Sequence, residues 1–267
     1  MVKLNFTVDE NYLLAHTLYY EFARPYAGNE AVRMLQTKAK RPISRVPSKC
    51  LYFRAEDILG LPFEKLPIDI QHLSRELVPT KEFRNVLHET QDFKAEVESE
   101  WLSNYNDGSR LMKQITKLDI RNREFTVYIT HPSLSNGRYA GKGRICWGTR
   151  PPQSWPGNGS YVTVYMYHEV YHGILSQNDA KVGIVENKKV PHALIELATD
   201  NELRVRMNGG AYPPLVGHSE NDNAIRAIEN WMLPHWKRYL LDDGEHILAF
   251  DERMRRRFLK EQSRMLQ

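Results

Sequence analysis

Apolar residues recur at helical intervals through most of this chain and give way to strand-like runs only in a central stretch. From residue 7 to about 115 the pattern predicts mainly helix. Thr7 and Glu10 are spaced as a capping box ahead of the apolar run Tyr12 to Phe22. A second helix is expected over Asn29 to Lys38 and a longer, charged one over Lys81 to Ser103. Between them, Arg41 to Pro79 is punctuated by prolines, with a short strand expected at Cys50 to Arg54. The β-branched and aromatic content of Glu124 to Thr130 predicts a strand, and Gly143 to Trp147 reads as another. After a turn-rich insert, Thr149 to Gly159, the run Tyr161 to Tyr165 fits either a strand or the first turn of the helix that follows. Past Met207 the chain turns through Asn208 to Pro214. It returns to helix over Asp222 to Leu241, kinked or broken at Pro234, and again from Glu245 towards Leu266. Trp231 and Trp236 read as packing residues of these last helices. The expected fold class is α+β and predominantly helical, in three regions: 1–115, 116–215 and 216–267.

One segment carries chemistry. Tyr167-His168-Glu169-Val170-Tyr171-His172 places two histidines four apart in a helix-compatible run, so both imidazoles lie on one face and can share a metal ion. Glu169 projects about 100° round the helix from His168, beside that metal rather than onto it. Two neutral nitrogen ligands with an adjacent carboxylate are what a zinc hydrolase requires. Met166, Val170 and Ile174 recur every four residues as an apolar face, widened by Tyr167, Tyr171 and Leu175, with no proline between them. The competing reading is a buried helix with two satisfied histidines.

A second helix is expected from Pro191 to Glu202, where Pro191 suits the first turn and Leu194, Leu197 and Ala198 mark the apolar side. Glu196 and Asp200, four apart, share a face. Here the chain resembles the gluzincins, zinc peptidases in which a glutamate on a following helix completes a two-histidine, one-glutamate site. The resemblance covers only about residues 160–204. It implies that Glu196 is the third ligand of one Zn²⁺ per chain, and that Asp200 holds the other ring nitrogen of His168. It also implies a zincin-like core, with a small sheet packed over the helix that bears the histidines. A strand at the edge of the cleft, 143–147 or 161–165, would then pair with an extended peptide substrate.

Other third ligands stay open: His192, one turn before Glu196 on the same face, and Asp179, Glu186 and His218. The metzincin pattern is absent, because Leu175 and Asn178 stand where it needs glycine and histidine. The expected activity is that of a zinc metallopeptidase acting on peptide or protein, with Glu169 as general base towards a zinc-activated water. In many gluzincins a Tyr or His stabilises the oxyanion, and Tyr212 and His218 are the nearest downstream candidates.

Composition narrows the alternatives. At 267 residues and 41% hydrophobic, the chain can bury a substantial core. Two cysteines, Cys50 and Cys146, support neither a disulfide framework nor a thiolate zinc cluster. Met1 to Glu10 lacks a basic-then-apolar signal pattern and no apolar run approaches membrane-spanning length, so a cytoplasmic setting is expected. A net charge of +4 does not by itself indicate a nucleic-acid partner. Arg253, Arg255, Arg256 and Arg257 form a local basic patch, but within a helical pattern with Met254, Phe258 and Leu259. Two alternatives to an enzyme follow: a regulatory or scaffold protein that retains a zincin fold, and a nucleic-acid-associated protein that uses the arginines. Oligomeric state leaves no mark in the sequence.

Overall fold

A computed structural model describes residues 2–19, 29–45, 55–152, 155, 160–182, 188–210, 223–242 and 244–265. The chain divides into two compact units that interleave along the sequence. One comprises 3–99 and 124–150; the other comprises 100–123 and 151–267 with the first two residues.

The first unit holds the sheet. It begins with β1 (Lys3–Thr7), α1 (Glu10–Tyr19), α2 (Glu30–Ile43), the short α3 (Ala55–Ile58) and α4 (Ile68–Leu77). It also takes the N-terminal part of α5 (Lys81–Thr116) and then β2 (Glu124–Ile129), β3 (Gly137–Tyr139) and β4 (Arg144–Trp147). The four strands run in the order β1-β2-β4-β3, with the first two pairings parallel and β3 antiparallel to β4. β2 sits inside the sheet and alternates as its sequence predicts: Phe125, Val127 and Ile129 are buried, while Thr126 and Tyr128 are half-buried. Leu13, Leu14, Leu35, Leu73, Leu77, Phe83 and Val86 form one apolar cluster of this unit. Tyr12, Ile58, Leu59, Ile70 and Cys146 belong to another.

Several local expectations are corrected. The cap of α1 is Asp9 rather than Thr7: its carboxylate accepts the Tyr12 N–H at 3.0 Å and its carbonyl accepts the Leu13 N–H at 2.7 Å. α2, expected over Asn29 to Lys38, is capped by Asn29 and runs five residues past Lys38 to Ile43. α5 continues past Ser103 to Thr116. β1 has no counterpart among the sequence expectations, and the expected strand at Cys50–Arg54 lies outside the described residues.

The second unit is helical. It takes the rest of α5 and then α6 (Tyr161–Val182) and α7 (Lys189–Glu196). α7 continues through a π-helical stretch, Leu197–Leu203, into α8 (Arg204–Asn208), and α9 (Asn223–Leu241) and α10 (Ile247–Met265) follow. No strand lies among its described residues. Tyr161–Tyr165 is the start of α6, which removes it as a cleft-edge strand. The sheet and the helix carrying His168 therefore belong to different units. Pro234 is accommodated inside α9 without ending it. Trp236 is buried, stacked on Tyr239 at 5.0 Å and edge-on to Phe250 at 5.9 Å; Trp231 packs on Phe258 and donates to Glu261 at 2.7 Å. No helix among the described residues is long and apolar enough to cross a membrane.

The first unit also buries a histidine. His16 on α1 is only 3% exposed, 5.7 Å ring to ring from Tyr12. Burial, reinforced by the positive charges of Arg138 and His131, pushes its pKa down to about 3 from 6.5. The unfolded chain takes up this proton near pH 6.5 and the folded chain only near 3, so stability is intact above that window and falls as pH drops through it. At about 1.4 kcal/mol per pH unit, acidification from pH 6.5 to 5 should remove about 2 kcal/mol through this residue. Denaturant unfolding across that range should show the loss in the wild type and a shallower slope in His16→Gln. Equal slopes would exclude His16 as the source.

Candidate metal centre

α6 is apolar on nearly every side, and the unit surrounds it accordingly. Val162, Val164, Met166, Tyr167, Val170, Tyr171, Ile174 and Leu175 are all buried. Its N-terminus is held from α5: the Glu100 carboxylate accepts the Thr163 N–H at 3.3 Å, a negative group where the helix dipole favours one. Burial raises the Glu100 pKa, and hydrogen bonds from the Thr163 and Val162 N–H groups oppose that rise. The same two helices approach closely at Gly108, where a Cβ would lie 2.9 Å from the Tyr167 ring and 3.0 Å from Thr163. Thr116 and the Tyr171 hydroxyl share a hydrogen bond of 2.8 Å further along. These contacts fix the rotation of α6 about its axis and so decide where His168 and His172 point.

The partner helix is α7 with its π-helical continuation. Val190, Pro191, Ala193, Leu194, Ile195 and Glu196 are buried, as is every residue from Leu197 to Leu203. Pro191 lies in the first turn, where its missing N–H costs nothing. Such π stretches inside α-helices often occur at functional sites, because the added residue shifts the side chains that follow. Here it follows directly on Glu196 and contains Thr199 and Asp200. Gly209, with φ of +60°, closes α8 in the left-handed conformation that glycine adopts freely.

The facing side chains form one connected group. His168, 2% exposed, donates from Nδ1 to Asp200 Oδ2 at 3.1 Å, with Thr199 Oγ1 3.3 Å from the same nitrogen. Its Nε2 faces His172 Nε2 at 3.1 Å. His192 Nε2 lies 3.1 Å from Glu196 Oε1. The His172 and His192 rings are 4.8 Å apart and perpendicular. Glu169 is buried. Two sets bring their ligand atoms within 4.8 Å of one another: His168 with His172 and His192, and His168 with Glu196 and Asp200. The buried His168, the half-buried His172 and His192 and the buried carboxylates thus form two overlapping donor sets that could bind a metal ion.

Electrostatics ties the group together. Burial drives His168 towards the neutral form, but its hydrogen bond to Asp200 and the charges of Asp200 and Glu169 outweigh this and raise its pKa. Burial likewise opposes ionisation of Asp200, yet hydrogen bonds with His168, Glu196 and Tyr165 hold its carboxyl below the usual range. Tyr165 answers with a raised pKa, from burial first and then from the Asp200 charge.

His168, Glu169, His172, Glu196 and Asp200 are therefore gathered at one place, and so is His192, one of the alternative ligands. Another alternative, Asp179, is paired with Arg255. Tyr212, His218 and Glu186 lie outside the described residues. Two contributors were missed from sequence: Thr199, whose position beside His168 depends on the π stretch, and Tyr165, placed in a run that also fitted a strand. A signal for Tyr165 existed, because it stands three residues before His168 on the same helix.

No protein-family model, curated protein or solved structure matches this chain. The arrangement of its own side chains is what bears on function.

Removing the charge of Asp200 tests the coupling. Asp200→Asn should weaken zinc affinity about 10–100-fold, since the carboxylate orients His168 and raises its basicity. Competition with a chromophoric chelator measures this, and an unchanged affinity would detach Asp200 from the site.

Proposed function

We propose that this protein is a zinc-dependent hydrolase, and most specifically a metallopeptidase of gluzincin type. The observation that carries this reading is the convergence of His168, Glu169 and His172 from α6 with Glu196 and Asp200 from the facing helix, all but His172 buried in the unit's interior. An accidental His-Glu-x-x-His run has no reason to meet a glutamate and an aspartate that reproduce the second half of the pattern. Buried ionisable groups are costly, and a chain that holds several in one cluster gains a function from them more often than stability.

In this reading His168, His172 and Glu196 hold the metal, and Asp200 fixes the tautomer of His168. A zinc ion held there supplies a Lewis acid that makes water acidic near neutral pH and polarises a carbonyl. Glu169, one residue beyond His168, takes the proton of the attacking water and delivers it to the leaving amine. Its burial keeps the carboxylate apart from bulk water. Tyr212 and His218 remain candidates for steadying the oxyanion.

The regulatory or scaffold reading also has an observation in its favour: His192 shares a donor set with His168 and His172 and lies 3.1 Å from Glu196, and closed four-ligand zinc sites are typically structural. The nucleic-acid reading has less. Arg253 pairs with Glu245 at 2.7 Å, Arg255 with Asp251 at 2.8 Å, Arg256 with Glu252 at 2.6 Å and Arg257 with Glu261 at 2.7 Å. Arginines already engaged by carboxylates make a poor phosphate-binding patch.

Glu169→Gln separates enzyme from scaffold. The variant should keep its zinc and lose hydrolysis of a mixed peptide library by at least about 100-fold, the scale of a lost general base. Undiminished hydrolysis would sink the role of Glu169, and a zinc-loaded wild type inert on every peptide and amide offered would favour the scaffold.

A further inference from the structure

His192 occupies a position that the two-histidine, one-glutamate assignment leaves unexplained. It stands in the first turn of α7, four residues before Glu196, so both side chains leave the same face of that helix. Its Nε2 is 3.1 Å from Glu196 Oε1, its ring is 4.8 Å from that of His172, and its ligand atom belongs with those of His168 and His172 within a 4.8 Å span.

Two of the separations are those of ligands round a common centre. Two donors each 2.0–2.1 Å from a tetrahedral zinc lie about 3.3 Å apart. His168 Nε2 and His172 Nε2 are separated by 3.1 Å, and His192 Nε2 and Glu196 Oε1 by 3.1 Å, so two of a tetrahedron's six edges have nearly the required length, and the three-histidine set joins the two pairs. The tautomer agrees for His168: with its Nδ1 proton committed to Asp200, the neutral ring presents a lone pair at Nε2.

We infer that His192 is a fourth protein ligand, so that the resting metal is closed by His168, His172, His192 and Glu196. A substrate oxygen then gains access only when His192 withdraws. This rests on the metal-site reading above and adds a latent state to it. His192 is better placed to leave than Glu196 or His168: its side chain is 25% exposed, against 2% for each of those two, and His172 is half-buried as well. The N-cap of its helix, Lys188, makes no side-chain capping bond.

X-ray absorption of the zinc-loaded full chain counts imidazoles directly. The wild type should show three, with a carboxylate oxygen. His192→Ala should show two, with at least a 10-fold loss of zinc affinity, and free imidazole should restore the third. In the cobalt(II) form, the visible spectrum of His192→Ala should respond to azide at a concentration at least 10-fold lower than the wild type needs. Two imidazoles in the wild type, or an unchanged count and affinity in His192→Ala, would overturn the assignment, and the wild-type count decides even if the variant does not fold. Three imidazoles without any peptide hydrolysis would uphold His192 and remove the hydrolase. A wild type that takes up no metal would remove both.

Discussion

The hydrogen bond between His168 and Asp200 is the interaction on which the rest of the site depends. Both partners lie in the interior of the helical unit, where an ionised carboxylate without a counterpart would cost several kcal/mol. The pairing offsets that cost and also does geometric work. It commits the Nδ1 proton of His168, turns the Nε2 lone pair towards His172, and fixes α6 in register with the helix opposite. Thr199, Tyr165 and Glu196 each touch one end of this pair, so the cluster behaves as a single unit rather than as separable residues.

Two features of the scaffold hold the pair in place. α6 is fixed from α5 by the Glu100 cap and by the close approach at Gly108, while the facing helix passes from α to π geometry immediately after Glu196. A π stretch departs from the α hydrogen-bond pattern, and the chain adopts it where Thr199 and Asp200 reach His168. The candidate metal donors thus come from two helices of one unit, with the sheet assigned to the other.

The parts legible in the sequence were those with local causes. The apolar period round His168 predicted α6, and the four-residue spacing of Glu196 and Asp200 put both carboxylates on one face, while only the resemblance implied that they meet the histidines. β2 was readable because its alternation is strict. β1 was not, since its partner Glu124–Ile129 lies more than a hundred residues away and only the parallel register makes Lys3–Thr7 a strand. Tyr161–Tyr165 has strand-like residues, and the tertiary contacts of Glu100 and Gly108 override that preference. The arginines near the C-terminus looked like a patch, although Asp251, Glu252 and Glu261 stand four residues from Arg255, Arg256 and Arg257, the spacing of intrahelical ion pairs. No composition signal announced the π stretch, because its residues are buried on all sides and carry no period.

The central claim is that these side chains bind one metal ion. Elemental analysis of the purified full-length chain, wild type beside His172→Ala, tests it most directly. The account predicts about one zinc per wild-type chain and a small fraction of that in the variant, with both proteins folded. A folded wild type that remains free of metal after incubation with zinc, or equal zinc in the two proteins, would contradict it.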